Sequence, residues 1–152
     1  MALSQHQQAV SALRITLAEL QHKERQLDNL IQQFRNQLRR LPRQVMYGRA
    51  SLDLSLSAMA EIEERLADAL ATRRRVLVIR KAALEELEAL ELIKRVDEAR
   101  HKLQGLKRQA LAFPASEDIL QEIRQLEQFI ADNSKRAEQA ITASYLERQQ
   151  GP

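Results

Sequence analysis

The chain has 152 residues, with 24 Lys and Arg against 21 Asp and Glu, three Gly, three Pro, 3% aromatic residues and no Cys. Missing Cys excludes disulfides and thiolate metal sites, and scarce aromatics beside 30% charged residues argue against a thick globular core. Few turn formers and abundant Ala, Leu, Glu, Arg and Gln favour long helices, and a net charge of only +3 means that charge acts here by position.

The first predicted helix covers about residues 4–41. Its a positions are Leu3, Val10, Leu17, Glu24, Ile31 and Leu38, and its d positions are His6, Leu13, Leu20, Leu27, Phe34 and Leu41. Ten of these twelve are apolar, and alternating three- and four-residue steps keep one stripe against a partner helix. Ser4 is placed to cap the helix with Gln7 closing a capping box, and Pro42 is expected to stop it after Leu41. Residues 42–50 then form a long turn.

The second predicted helix covers residues 51–112, starting near Ser51 or Ser55, with Gly105 as its weak interior point. Its apolar stripe changes phase. The first half uses Leu52, Leu56, Met59, Leu66, Leu70, Leu77, Leu84 and Leu87; the second uses Leu92, Val96, Ala99, Leu103, Leu106, Ala110 and Phe113. Such a change implies a different partner for each half. Antiparallel pairing with helix one matches Leu41 with Leu56, Leu27 with Leu70, Leu20 with Leu77 and Val10 with Leu87. It also sets Glu24 against Arg73 and His6 against Glu91, so both polar core residues of helix one find polar partners, while Glu63 and Arg80 face Phe34 and Leu17.

The third predicted helix covers residues 116–148, capped by Ser116 with Glu117 and Asp118 in its first turn. Its pairing matches Ala110 with Ile119, Leu106 with Ile123, Leu103 with Leu126, Ala99 with Ile130 and Val96 with Asn133. Beyond Ile130 the core positions become small or polar (Asn133, Ala137, Ala140, Ser144), with Ile141 and Tyr145 on a shifted stripe. That arm is expected to fray or to be completed by self-association, and the Gly151-Pro152 end to fray. The expected fold is all-α: one domain over 1–152, an elongated antiparallel coiled coil of three helices whose long central helix is shared by two hairpins. A three-helix overlap near residues 82–94 is part of it, and a bundle with helix two broken near Thr72 to Arg75 is the competing form.

No chemistry-bearing pattern survives inspection. Glu19-Leu20-Gln21-His22 and Glu98-Ala99-Arg100-His101 have di-metal spacing but fall on outer helix positions. With Gly only at 48, 105 and 151, no phosphate-binding loop can be built. No catalytic residue, metal or cofactor is expected, and the chain is read as a non-enzyme. The best functional lead is charge position. From Asn29 to Leu52 there is no acid but five arginines, Arg35, Arg39, Arg40, Arg43 and Arg49, clustered about a turn that also carries Val45, Met46 and Tyr47. A solvated turn with Val45 and Met46 packed over the hairpin end is the bland alternative. A second basic run, Arg73, Arg74, Arg75, Arg80 and Lys81, reads as a solvated face.

The expected function is therefore a spacer, stalk or adaptor. Partner contacts are assigned to Arg39, Arg40, Arg43, Met46, Tyr47 and Arg49 and to the C-terminal arm. The alternative is a nucleic-acid-associated protein gripping phosphates with the arginine-rich loop. A membrane-surface scaffold would use the same arginines but lacks an evident aromatic-bearing amphipathic face. The longest apolar stretch, Val76 to Ile79, is flanked by arginines and far short of a membrane span, and no basic leader precedes an apolar segment. A cytoplasmic, bacterial-type location is expected, with signal-free export left open.

Overall fold

In a computed structural model, described for the backbone of residues 2–112 and 116–150 and for the side chains of 5–112 and 116–140, the chain is built of helices alone among the described residues. They are α1 (Ala2–Met46), α2 (Leu52–Ala112) and α3 (Glu117–Gln150), with α1 antiparallel to α2 and α2 antiparallel to α3. Leu3, Phe113, Pro114, Ile141, Ser144, Tyr145 and the Gly151-Pro152 end, all named by the sequence pattern, lie outside the described side chains or residues.

Each helix end has a local cause, and two differ from expectation. α1 is helical from Ala2, which puts Ser4 inside its first turn instead of at the cap. It also runs through Pro42 to Met46. Proline removes one amide, leaving the Leu38 carbonyl without its usual donor four residues on. Three backbone bonds then close the end: the amides of Tyr47, Gly48 and Arg49 donate to the carbonyls of Arg43, Val45 and Gln44 at 3.0, 3.0 and 2.8 Å. The last two are the paired bonds of a Schellman motif, and Gly48 supplies the left-handed residue it needs, at φ 65°. Val45 meanwhile extends the a column by one heptad and is half-buried, so the added turn gains packing. Ser51 and Ser116 act as caps at the backbone level, their carbonyls accepting from Ser55 and Leu120. α2 is unbroken across Thr72 to Arg75, which removes the broken-bundle alternative.

The chain divides into two compact units: residues 11–83, and residues 84–152 together with 1–10. The division falls inside residues 82–94, where the stripe of α2 changes phase. In the first unit α1 packs on the N-terminal part of α2 around Leu27, Ile31, Ala69 and Val76, with Leu20, Phe34, Leu66 and Leu70 against them. Every described a and d position of α1 from His6 to Leu41 is buried or half-buried.

On α2 half of the expected seam is displaced by one residue. Met59, Leu66, Arg73, Arg80 and Leu87 line it as anticipated, but the other column is Ser55, Ile62, Ala69, Val76, Ala83 and Leu90. The leucine column expected there sits at the flank. Leu56 is 55% exposed, Leu84 is also exposed, and Leu70 and Leu77 are half-buried. Ser55, Ala69 and Ala83 are small residues in that column, and Ile62, Val76 and Leu90 complete it. Ile62 is half-buried where Glu63 had been expected to face Phe34, and Glu63 is exposed.

In the second unit the residues of the expected α2–α3 pairs are all buried or half-buried, and Val96, at 1% exposure, is the most enclosed of the described residues. A flanking ion pair joins Lys107 to Glu127 at 3.5 Å. Seven of the eight residues from Glu86 to Ile93 are buried or half-buried, all but Glu88, which no two-helix seam produces. Here residues 2–10 of α1 belong to the same unit as α2, as the expected three-helix overlap requires. His6 and Glu91 are both half-buried, but no hydrogen bond or ion pair joins them. Ala137 is buried and Ala140 half-buried, so small residues of α3 are packed there. Asn133 donates to the Phe129 carbonyl of its own helix at 2.9 Å, so its amide is satisfied locally and sets no register between helices.

Candidate functional site

The chain places its charges in two different settings. Within the seam of residues 11–83, Glu24 sits between two arginines of α2. Its Oε2 accepts from Arg80 Nη1 at 3.2 Å, and its Oε1 lies 3.6 Å from Arg73 Nη2. Arg73 also donates from Nε to Asp28 at 2.7 Å. Arg80, which sequence pairing set against apolar Leu17, thus pairs with a carboxylate one heptad, about two helical turns, further along α1. Two members of the second basic run are therefore structural cations. The neighbouring Arg74 and Arg75 face an open depression of about 500 Å³ with Ala71, Val78 and Ile79, on the outer side of α2.

The turn between α1 and α2 is the opposite case. Arg35, Arg39, Arg40, Arg43 and Arg49 are all exposed, and none of their side chains forms a hydrogen bond or ion pair with any described residue. Heptad geometry explains their facing. With Leu38 and Val45 at a, residues Arg39, Arg40, Arg43, Met46 and Tyr47 fall on the b, c and f positions of one outer face. Met46 and Tyr47 are 77% and 76% exposed, so of the two residues expected to pack over the hairpin end only Val45 does. All six residues assigned to partner contact, Arg39, Arg40, Arg43, Met46, Tyr47 and Arg49, are thus brought to one accessible end of α1 and its turn.

The first turns of α2 add residues that sequence reasoning missed or misplaced. Leu52 and Leu56, assigned to the seam, are exposed, and so is Leu54, which no pattern had singled out. The sequence signal was present in the alternation Leu52-Asp53-Leu54-Ser55-Leu56, where three leucines around one helix start cannot all face α1. Asp53 is the one acid at this end and lies in the first turn of α2, where it complements the helix dipole.

No group of three or more potential metal-ligating residues occurs among the described residues, and the Glu-x-x-His steps stay on the surface, with His22 bonded to Gln26. Among the described residues no helix is long and apolar enough to cross a membrane. No family model matches the chain, and neither the curated proteins nor the solved structures contain a match.

Proposed function

We propose that this chain is a non-enzymatic interaction protein, a spacer, stalk or adaptor that meets its partners through the basic end formed by the α1–α2 turn. One observation carries the reading: five exposed arginines without an acidic partner share an end with exposed Met46 and Tyr47. Large apolar and cationic side chains left uncovered together mark contact surfaces, because either alone is commonplace and both cost solvation or aggregation risk when unused. The C-terminal arm from Asn133 to Tyr145 is proposed as a further contact; its side chains from Ile141 onward lie outside those described. A cytoplasmic setting accords with this reading.

A second reading, nucleic-acid association, uses the same arginines on phosphates. A capture experiment compares the native chain with a variant carrying Arg39→Glu, Arg40→Glu, Arg43→Glu and Arg49→Glu. Loss of specific proteins, with helicity retained, supports the adaptor. Loss of nucleic acid, steeply salt-dependent, supports the second reading, and an unchanged capture profile refutes both.

A further inference from the structure

We infer that the tip docks on the surface of an anionic lipid bilayer, an identification of the partner class that rests on the tip being a contact site. Charge complementarity is the first ground. The stretch from Asn29 to Leu52 carries five positive charges and no negative one, and none of the five is neutralised by a described residue. Each basic side chain near an anionic leaflet strengthens binding about fivefold.

The second ground is how apolar and basic residues are ordered along α1. Met46 and Tyr47 lie at the helix end. Arg43 lies about 4.5 Å behind Met46 and Arg39 about 10 Å behind it, at 1.5 Å of rise per residue. A tip entering end-on thus brings Met46, Tyr47, Leu52 and Leu54 to the headgroup–acyl boundary while Arg39, Arg40 and Arg43 stand at phosphate depth; Arg49 lies in the turn itself, and Arg35 about 16 Å behind Met46. Interfacial segments bury their apolar side by about 5–10 Å, which is the spacing of Arg43 and Arg39 behind Met46. Tyrosine suits such a boundary, its ring apolar and its hydroxyl wet.

The third ground separates lipid from other polyanions. Duplex DNA would engage the arginines but offers nothing to four exposed apolar side chains on a convex turn, and an acidic protein would need a matching cavity. A fluid interface adapts to them. Asp53 works against docking, and its single charge is outweighed five to one.

The test uses the full chain, flotation with phosphatidylcholine vesicles with and without phosphatidylserine, and circular dichroism on every variant. The native chain is expected to float only with the anionic vesicles. Arg39→Gln, Arg40→Gln and Arg43→Gln should each weaken binding about fivefold. Met46→Ser and Leu54→Ser should weaken vesicle binding while leaving binding to heparin, duplex DNA and polyglutamate unchanged. The chain has no Trp, so Tyr47→Trp supplies a lone indole whose emission should shift to the blue on anionic vesicles. Absence of flotation by the native chain overturns the inference, as does vesicle binding that ignores the apolar substitutions. The two proposals fail separately. Vesicles left unbound while charge reversal still abolishes protein capture removes lipid and keeps the adaptor; anionic vesicles bound with capture unchanged does the reverse.

Discussion

Replacing Glu24 tests the charge cluster at the centre of the α1–α2 seam. Its carboxylate is 17% exposed, whereas the side chains of Arg73 and Arg80 are 35% and 43% exposed. Solvent therefore screens both cations, and each pair taken alone is worth about 0.5–1 kcal/mol. The enclosed carboxylate raises the value of its direct bond to Arg80 toward the lower end of charged hydrogen bonds, about 1.5 kcal/mol. Arg73 loses less, because Asp28 holds it at 2.7 Å whatever happens at Glu24. Glu24→Gln should thus cost about 1–2 kcal/mol in urea unfolding followed by circular dichroism. In double-mutant cycles the Glu24–Arg80 coupling should be about 1 kcal/mol and the Glu24–Arg73 coupling no more than about 0.5 kcal/mol. Changing all three to Leu should be neutral or stabilising, since the cluster's desolvation cost vanishes with its attraction. Coupling to Arg73 that exceeds coupling to Arg80, or no coupling to either, refutes the reasoning.

The remaining predictions concern backbone and seam. Gly105 lies inside α2 with nothing within 4 Å of an added Cβ, so Gly105→Ala should raise stability by about 0.5–1 kcal/mol, read as an increased melting temperature. Gly48 has equal room but a φ of +65°, so Gly48→Ala should cost about 1 kcal/mol from conformation alone and Gly48→Asn less. Ala69→Leu should destabilise by about 1–3 kcal/mol through overpacking, whereas Leu56→Ala should change stability by less than about 0.5 kcal/mol. Equal effects of those two in denaturant titration would return the leucine column to the seam. Val96→Ala, at the most enclosed side chain, should cost about 2 kcal/mol.

Much of this architecture is legible in the chain because a and d periodicity is a long signal that single residues cannot overturn. The core positions of α1, the change of partner along α2 and the burial of the α2 and α3 residues from Ala110 and Ile119 to Ala99 and Ile130 all follow from it. The errors share one cause. Apolarity alone ranks Leu56, Leu70, Leu77 and Leu84 above Ser55, Ala69, Val76 and Ala83, and the two columns are neighbours one residue apart. Which of them faces α1 depends on how the pair packs, which apolarity along one sequence does not encode. Pro42 misled for a related reason. A proline's local cost is readable, but the Schellman bonds and the packing of Val45 that offset it are not.

The same geometry explains why the tip is free to serve a partner. Seam stability in residues 11–83 comes from Leu27, Ile31, Ala69 and Val76 and from the Glu24 cluster, all of them inside the two helices. The turn is closed by backbone bonds and by the conformation of Gly48, which place no demand on the side chains of Arg39, Arg40, Arg43, Met46, Tyr47 or Arg49. Arg73 and Arg80 show how this chain treats a basic side chain that the fold requires: it receives a carboxylate from the facing helix. The tip arginines receive none, even though Asp53 stands near the same turn. Five arginines without a described acidic partner beside uncovered Met46, Tyr47, Leu52 and Leu54 are the features on which the proposed contact at this tip rests.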